Sequence, residues 1–298
     1  MARTAKKYLM FIDTNVLLDF YRARNDSQWS FLETLDEHRE RVITTDQVEM
    51  EFKKNRQGVI LEALRGLTNP DDPEFPVFLR HAKAATSIRP SRDRMREQIT
   101  RLRQRIQNVL ENPTTNDEVY KPIQRLFREP TEFNLTRDKP ERYTIRRQAW
   151  KRFVLGYPPR KKGDTSTGDA VNWEWILACA KREKSNVVIV SLDSDYGVNP
   201  TKQRFSHLND WLAHEFRDRV SKQKNARLTP YLAEAYKLMG MTVATRAKSE
   251  EKRLLTLTSR PQKSRYETIL EWIRAQAAED DPVAGLDDGS GATGGAEP

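Results

Sequence analysis

Short apolar runs of strand length punctuate a chain that is otherwise polar. Two of them, Tyr8–Ile12 (YLMFI) and residues 186–192 (NVVIVSL), show no polar alternation. That is the pattern of strands covered on both faces of a parallel sheet. Each runs directly into an aspartate, Asp13 and Asp193. A third run, Val42–Thr45, lies between two helical patterns. In residues 27–41, Trp29, Leu32 and Leu35 recur at helical spacing. The next helix is expected to open at Asp46, read as an N-cap with Glu49 three residues on. Strand and helix alternate at the N-terminus and again over residues 169–217, the βαβ order of an α/β fold.

Residues 67–156 have a different character. They open on the breaker cluster TNPDDPEFP, and Ile99, Leu102, Ile106 and Val109 then form a helical stripe that Asn112 and Pro113 close. The stripes are thin, so this segment reads as a helical insertion that packs back on the α/β core. Residues 206–220 (SHLNDWLAHEFRDRV) are expected to form an amphipathic helix with a serine cap, and helical patterns recur over 230–239 and 266–278. The organisation expected is one domain over 1–278. Its core lies at about 6–66 and 157–220, its insertion at about 67–156, and a helical C-terminal extension at 221–278.

Composition adds a direction. The 298 residues hold 52 Lys and Arg against 43 Asp and Glu, a net charge of +9. Residues 279–298 contain six of the acids, no basic residue and five of the 12 glycines, which reads as a disordered acidic tail. The rest of the chain is therefore close to +15, and an excess of that size points to a polyanionic partner, nucleic acid above all. A merely solubilising surface is the plainer reading. The single cysteine, Cys179, excludes a disulfide framework and a thiolate zinc cluster, and reads as a small buried apolar residue. No run approaches the ~20 apolar residues of a membrane span, and MARTAKKYLMFID has no secretory apolar core. A soluble, cytoplasmic protein is expected.

Four carboxylates carry the candidate chemistry. Asp13 and Asp193 stand at the carboxyl ends of the expected parallel strands, where open α/β sheets bind ligands. Glu51 shares a helix face with Val48 and Phe52, and Asp169 opens another helix directly after Gly168. Brought to one rim, these acids would repel one another unless cations sat among them, and oxygen ligands favour Mg²⁺ or Mn²⁺ over zinc. None of the four histidines lies in HxH or HExxH spacing. Each acid also has a plainer reading. Asp193 and Asp195 suit a turn, Asp169 a helix dipole, and Glu51 a partly exposed helix position.

At these residues the chain resembles the PIN-domain nucleases. FIDTNVLLD at 11–19, TTDQVEMEF at 44–52, GDAVNWEWILACA at 168–180 and VVIVSLDSDYG at 187–197 follow the order of the family's four acidic segments. YPPRKKGDTSTGD before Asp169 and the helix SHLNDWLAHEF after the last strand look more like the larger bacterial PIN-like type with a helical insertion than the compact type, while the insertion itself and the C-terminal third resemble nothing further. The resemblance implies a three-layer α/β/α fold around a central parallel sheet. It further implies a metal-dependent endonuclease in which Asp13, Glu51, Asp169 and Asp193 are catalytic and hold Mg²⁺ or Mn²⁺. Asp195 is an alternative ligand, Thr14 and Asn15 assist near Asp13, and Asp164 reaches in from the preceding loop. RNA is favoured over DNA on the resemblance alone. The alternatives are a non-catalytic nucleic-acid-binding module of the same fold and a phosphatase using a strand-end aspartate. No residue speaks to an inhibitor protein or to the oligomeric state.

Two basic clusters suit a phosphate backbone. One is the arginine run at 89–105, for which a solvated helix face is the plainer reading. The other comprises Arg146, Arg147, Lys151, Arg152, Arg160, Lys161 and Lys162, and leads into Asp164 and Asp169. Trp150 is expected to pack within the protein, Tyr143 and Tyr157 are open to stacking on bases, and Trp173 and Trp175 are expected in the core.

Overall fold

The computed structural model describes residues 8–258 apart from 24–25, 73, 80, 130, 161–165 and 199–205. The chain divides into two units, residues 1–252 and 253–298; of the second, only residues 253–258 are described. The acidic tail expected at 279–298 and the helix expected at 266–278 lie outside the described residues.

The strands are β1 (Tyr8–Ile12), β2 (Val42–Thr45), β3 (Asn134–Leu135), β4 (Asn186–Val190), β5 (Gly197–Val198), β6 (His207–Leu208) and β7 (Ala226–Thr229). Five of them form one parallel sheet in the order β3-β2-β1-β4-β7, while β5 and β6 pair as a separate antiparallel ribbon. The two runs without polar alternation, β1 and β4, lie side by side in the middle, and every residue in both is buried. That burial on two faces is what their uninterrupted apolar character encodes.

Helices flank the sheet. Between β1 and β2 come α1 (Thr14–Arg22) and α2 (Trp29–Glu37); between β2 and β3 come α3 (Asp46–Arg65), α4 (Lys83–Glu111), α5 (Pro113–Asn116) and α6 (Tyr120–Arg128). Then follow α7 (Glu141–Leu155) and α8 (Gly168–Glu183) before β4, α9 (Asp210–Arg219) before β7, and α10 (Leu232–Leu238) and α11 (Thr245–Thr258). Trp173 and Trp175 of α8 are fully buried, as expected, and Cys179 is buried among them, its thiol pushed by burial up to about 12. Among the described residues no helix is long and apolar enough to cross a membrane.

Three expectations need correction. The segment read as a helical insertion packs on the core, with Phe52 of α3 against Tyr120 and Phe127, but it also supplies the edge strand β3. A two-residue strand leaves no apolar run to detect. The extension read as helical supplies the other edge strand, β7, whose sequence ARLT is partly exposed at its start. The helix caps also move by one to three residues. Thr45, not Asp46, caps α3 by accepting the Val48 N–H at 3.2 Å, and Asn209, not Ser206, caps α9 by accepting the Trp211 N–H at 3.0 Å.

Of the stripe expected on α4 only Ile99 is buried and Leu102 is exposed; over 29 residues only Ala85 and Ile99 are buried. Its arginines compensate. Arg96 and Arg103 donate to the carbonyls of Pro70 and Leu67, and Arg92 pairs with Asp72 and Asp93. Arg92, Arg96 and Arg103 of the 89–105 run thus clamp the preceding loop. At the far end of α4, the buried guanidinium of Arg56 in α3 donates to the Asp117 carboxylate, to the Val109 carbonyl and to the Tyr21 hydroxyl, which itself donates to Asp117 at 2.7 Å. One buried ion pair therefore fastens α1, α3, the end of α4 and the start of α6.

Candidate functional site

The register of β1 on β4 assembles the first half of the site. Ile12 lies opposite Val190, so the next residues on each strand, Asp13 and Ser191, emerge together. Asp13 sits at the switch from strand to helix. Its N–H still donates to the Val190 carbonyl, while its own carbonyl accepts from Val16 and Leu17 at the start of α1. The carboxylate is buried, and the Ser191 hydroxyl donates to it at 2.6 Å. Burial pushes the Asp13 carboxyl up to about 6; the Ser191 bond opposes this, and the nearby charges of Asp193 and Glu51 add to it. Beyond Ser191 the chain turns tightly. The Asp193 N–H donates to the Ser191 hydroxyl at 2.9 Å, and the Asp195 N–H donates to the Asp193 carboxylate at 3.2 Å.

The helices bring the second half. Glu51 lies on α3, one and a half turns in, and its carboxylate is held on both oxygens: Thr14 donates to Oε2 at 3.1 Å and Gln47 to Oε1 at 2.7 Å. Asp169, in the first turn of α8, stands close enough to Asp193 and Asp195 that one carboxylate oxygen from each falls within 4.8 Å of the others. Three carboxylates at that spacing, with oxygen donors alone, suit a hard divalent cation. Tyr196 closes the floor. It is fully buried against Phe11, and its hydroxyl has no hydrogen-bond partner among the described residues. Burial, then the surrounding charges of Asp169, Asp13, Asp193 and Glu51, push its ionisation well above the usual tyrosine range. A buried hydroxyl without a hydrogen-bond partner, next in the chain to the acidic cluster, fits a site whose polar inventory is completed by a bound cation and its water.

Two glycines allow the close approaches. A Cβ on Gly168 would lie 2.7 Å from Gln47 Nε2 and 2.9 Å from Glu51 Oε1. Both atoms are ends of flexible side chains, so Gly168→Ala should fold normally while displacing Glu51 and lowering any metal-dependent activity of the site by about tenfold. Unchanged activity at unchanged melting temperature would show that this contact does not set Glu51. Gly197 has φ of +154°, and a Cβ there would meet the His207 carbonyl oxygen at 2.1 Å, so only glycine closes the β5–β6 ribbon behind Tyr196.

Of the residues singled out in sequence, Asp169, Asp193 and Asp195 form one cluster, while Asp13 stands beside Ser191 at the end of β1 and Glu51 beside Gly168 at the start of α8. Thr14 spends its hydroxyl on Glu51, whereas Asn15 is exposed in the first turn of α1. Asp164, Lys161 and Lys162 lie outside the described residues. Ser191, Gln47 and Tyr196 were not singled out. Ser191 is identifiable only through the β1–β4 register, and Gln47 only through its i,i+4 position before Glu51.

The basic cluster separates into two groups. Arg152 is buried and ion-paired with Glu174 and Glu215, so it is a structural residue and not a phosphate contact. Glu215 also accepts from Trp173 and Arg219, and these donors hold its carboxyl below the usual range against the opposing effect of burial. Arg146 shares the Asp46 carboxylate with Arg142, at 3.0 and 2.8 Å. Arg147, Lys151 and Arg160 are exposed. Trp150, expected in a packed interior, is instead 59% exposed.

The family model of the PIN domain matches residues 10–196, from β1 through Tyr196. This chain belongs to the PIN-domain family. The match covers well over half of the chain and includes all five acids. No curated protein and no solved structure matched it. PIN domains are typically nucleases with nucleic-acid substrates. In this PIN domain, Asp169, Asp193 and Asp195 form an acidic cluster with the spacing of a metal site.

Proposed function

We propose that this PIN domain is a metal-dependent endonuclease, acting on RNA in preference to DNA in the cytoplasm, with Mg²⁺ or Mn²⁺ as its cofactor. The observation that carries the reading is the cluster of Asp169, Asp193 and Asp195, with Asp13 at the carboxyl end of β1 and Glu51 against Gly168 at the start of α8. No structural role requires so many acids so close together, and their mutual repulsion is a cost that a cation removes. When bound, the metal would lower the pKa of a coordinated water and neutralise charge on the phosphoryl oxygens.

The chain's own residues then have distinct parts. Asp169, Asp193 and Asp195 supply clustered oxygens. Asp13 is set by Ser191 and Glu51 by Thr14 and Gln47, so neither carboxylate has to be reoriented when the cation arrives. Arg147, Lys151 and Arg160, exposed on and after α7, would take the flanking phosphates, with Arg146 contributing from its pair with Asp46. Tyr196 offers its hydroxyl to the ligand space. Tyr196→Phe should therefore lower cleavage while raising stability by about 1 kcal/mol, since an unpaired buried hydroxyl is removed. A parallel fall in both would assign the hydroxyl to folding.

The reading is tested with labelled single-stranded RNA, single-stranded DNA and duplex in Mg²⁺ or Mn²⁺. Cleavage should require the ion, vanish in EDTA, and be lost in Asp169→Asn with binding retained. If Asp169→Asn cleaves as well as the parent, the activity belongs to another site or another protein.

A further inference from the structure

Two aromatic pairs on the surface have no part in the core or in the acidic site. The first is Tyr157 with Trp211, ring centroids 5.0 Å apart, exposed to 39% and 49%. The second is Trp150 with Phe153, 5.8 Å apart and stacked at 22°, with the Arg160 guanidinium 4.6 Å from the Phe153 centroid. Their elements do not need them for packing. Helix α7 buries Ile145 and Ala149, and α9 buries Leu212 and Phe216. Indole rings left half in water on two adjoining elements are an unfilled apolar surface.

The first pair is tied to the acids. Asn209 accepts the Trp211 N–H at 3.0 Å while its own N–H donates to the Tyr196 carbonyl at 2.9 Å. Tyr196 directly follows Asp195 of the acidic cluster in the chain. The surroundings on α7 are basic: Arg147 and Lys151 are exposed, and Glu141 is the helix's one acidic residue.

We propose that Tyr157 and Trp211 form a stacking site for an unpaired nucleobase, and that Trp150 with Phe153 extends it along α7. An exposed aromatic face takes the π-face of any base, which a duplex keeps covered, and neighbouring Lys and Arg neutralise the phosphates between stacked bases. The assignment rests on the nuclease reading for the side from which the strand enters. Binding itself is measurable without cleavage.

The test uses the full chain in EDTA with short fluorescein-labelled oligonucleotides of RNA and DNA, single-stranded and duplex, followed by anisotropy and by tryptophan fluorescence. Single strands should quench the tryptophan emission. Tyr157→Ala with Trp211→Ala should weaken single-strand binding about tenfold or more, leaving duplex binding and the salt slope unchanged. Trp211→Phe, which keeps a ring, should retain most of the affinity. Arg147→Ala with Lys151→Ala should instead flatten the salt slope. Equal losses for single strand and duplex, or parental single-strand binding in the double aromatic variant, would overturn the site. A change confined to self-association would overturn it too and assign the surface to a second copy of the chain. The two readings fail separately. Aromatic-dependent binding without Mn²⁺-dependent cleavage leaves the stacking site standing and removes the nuclease. Cleavage unaffected by loss of the rings does the reverse.

Discussion

Asp13→Asn should abolish cleavage and at the same time stabilise the metal-free protein at neutral pH. The activity arm follows from the geometry. Asn keeps the shape and the Ser191 contact but loses the charge that binds a cation, and a loss of several kcal/mol of transition-state stabilisation is about a thousandfold or more in rate. The stability arm follows from burial. The Asp13 carboxyl is raised from 3.8 to about 6 in the folded chain. Below about pH 4 the group is protonated in both states and costs nothing. Between about pH 4 and pH 6 the unfolded chain releases its proton while the folded chain keeps it, so stability falls as pH rises. Above about pH 6 the loss is complete, on the order of 3 kcal/mol for a shift of this size.

Asn does not titrate. The stability of the parent relative to the variant in EDTA should therefore decline across that window and level off above it. Mn²⁺ should close the gap at pH 7 and do little at pH 4. Urea unfolding at several pH values measures this. A parent more stable than Asp13→Asn at pH 7 in EDTA would show that the carboxylate is held by favourable contacts, contrary to the reading of the site. Comparison with the variant is needed because Glu251 behaves alike. Burial raises it to about 7, although it accepts the N–H groups of Leu232 and Ala233 at the start of α10.

The second large effect is on folding alone. Arg56→Ala should cost about 3–5 kcal/mol, because it leaves the Asp117 carboxylate, 3% exposed, without its guanidinium. Tyr21 and the Tyr120 N–H still donate to Asp117, at 2.7 and 2.9 Å, but neither carries charge. Replacing both partners, Arg56→Met with Asp117→Leu, should cost clearly less than the sum of the single changes, since no buried charge is then left over. A double-mutant cycle in urea measures the coupling. A single Arg56→Ala cost below about 1 kcal/mol would mean that α4 and α6 are held by apolar packing alone. Metal affinity should not change in either variant, which separates this effect from that of Asp13.

Several parts of this picture are local properties of the sequence. An apolar strand ending in Asp13, a second ending in Asp193, an acid on the inner face of α3 and an acid in the first turn of α8 were each visible in their own segment. The α/β order follows from the alternation of strand-length and helical patterns. Other parts were hidden because nothing local encodes them. Strand β3 is two residues long, and β7 carries a sequence no more apolar than a loop. Arg152 and Lys151 are neighbours of the same charge on one helix, yet one is buried against Glu174 and Glu215 and the other is in water. Helical phase alone did not separate them, because the apolar stripe of α7 is weak. Trp150 misled for the same reason.

The sequence by itself determined which strands are covered on both faces, which acids stand at their ends, and that the chain outside its acidic tail is basic. These depend on short-range pattern and on composition, which act before any contact is made. The tertiary structure decided that Ser191 meets Asp13, that Gly168 makes room for Glu51, that the Tyr196 hydroxyl is buried without a partner, and which arginines reach solvent. Each of these depends on two or more distant segments arriving at one point. Their register and burial are set by packing the whole core, so no single segment carries them.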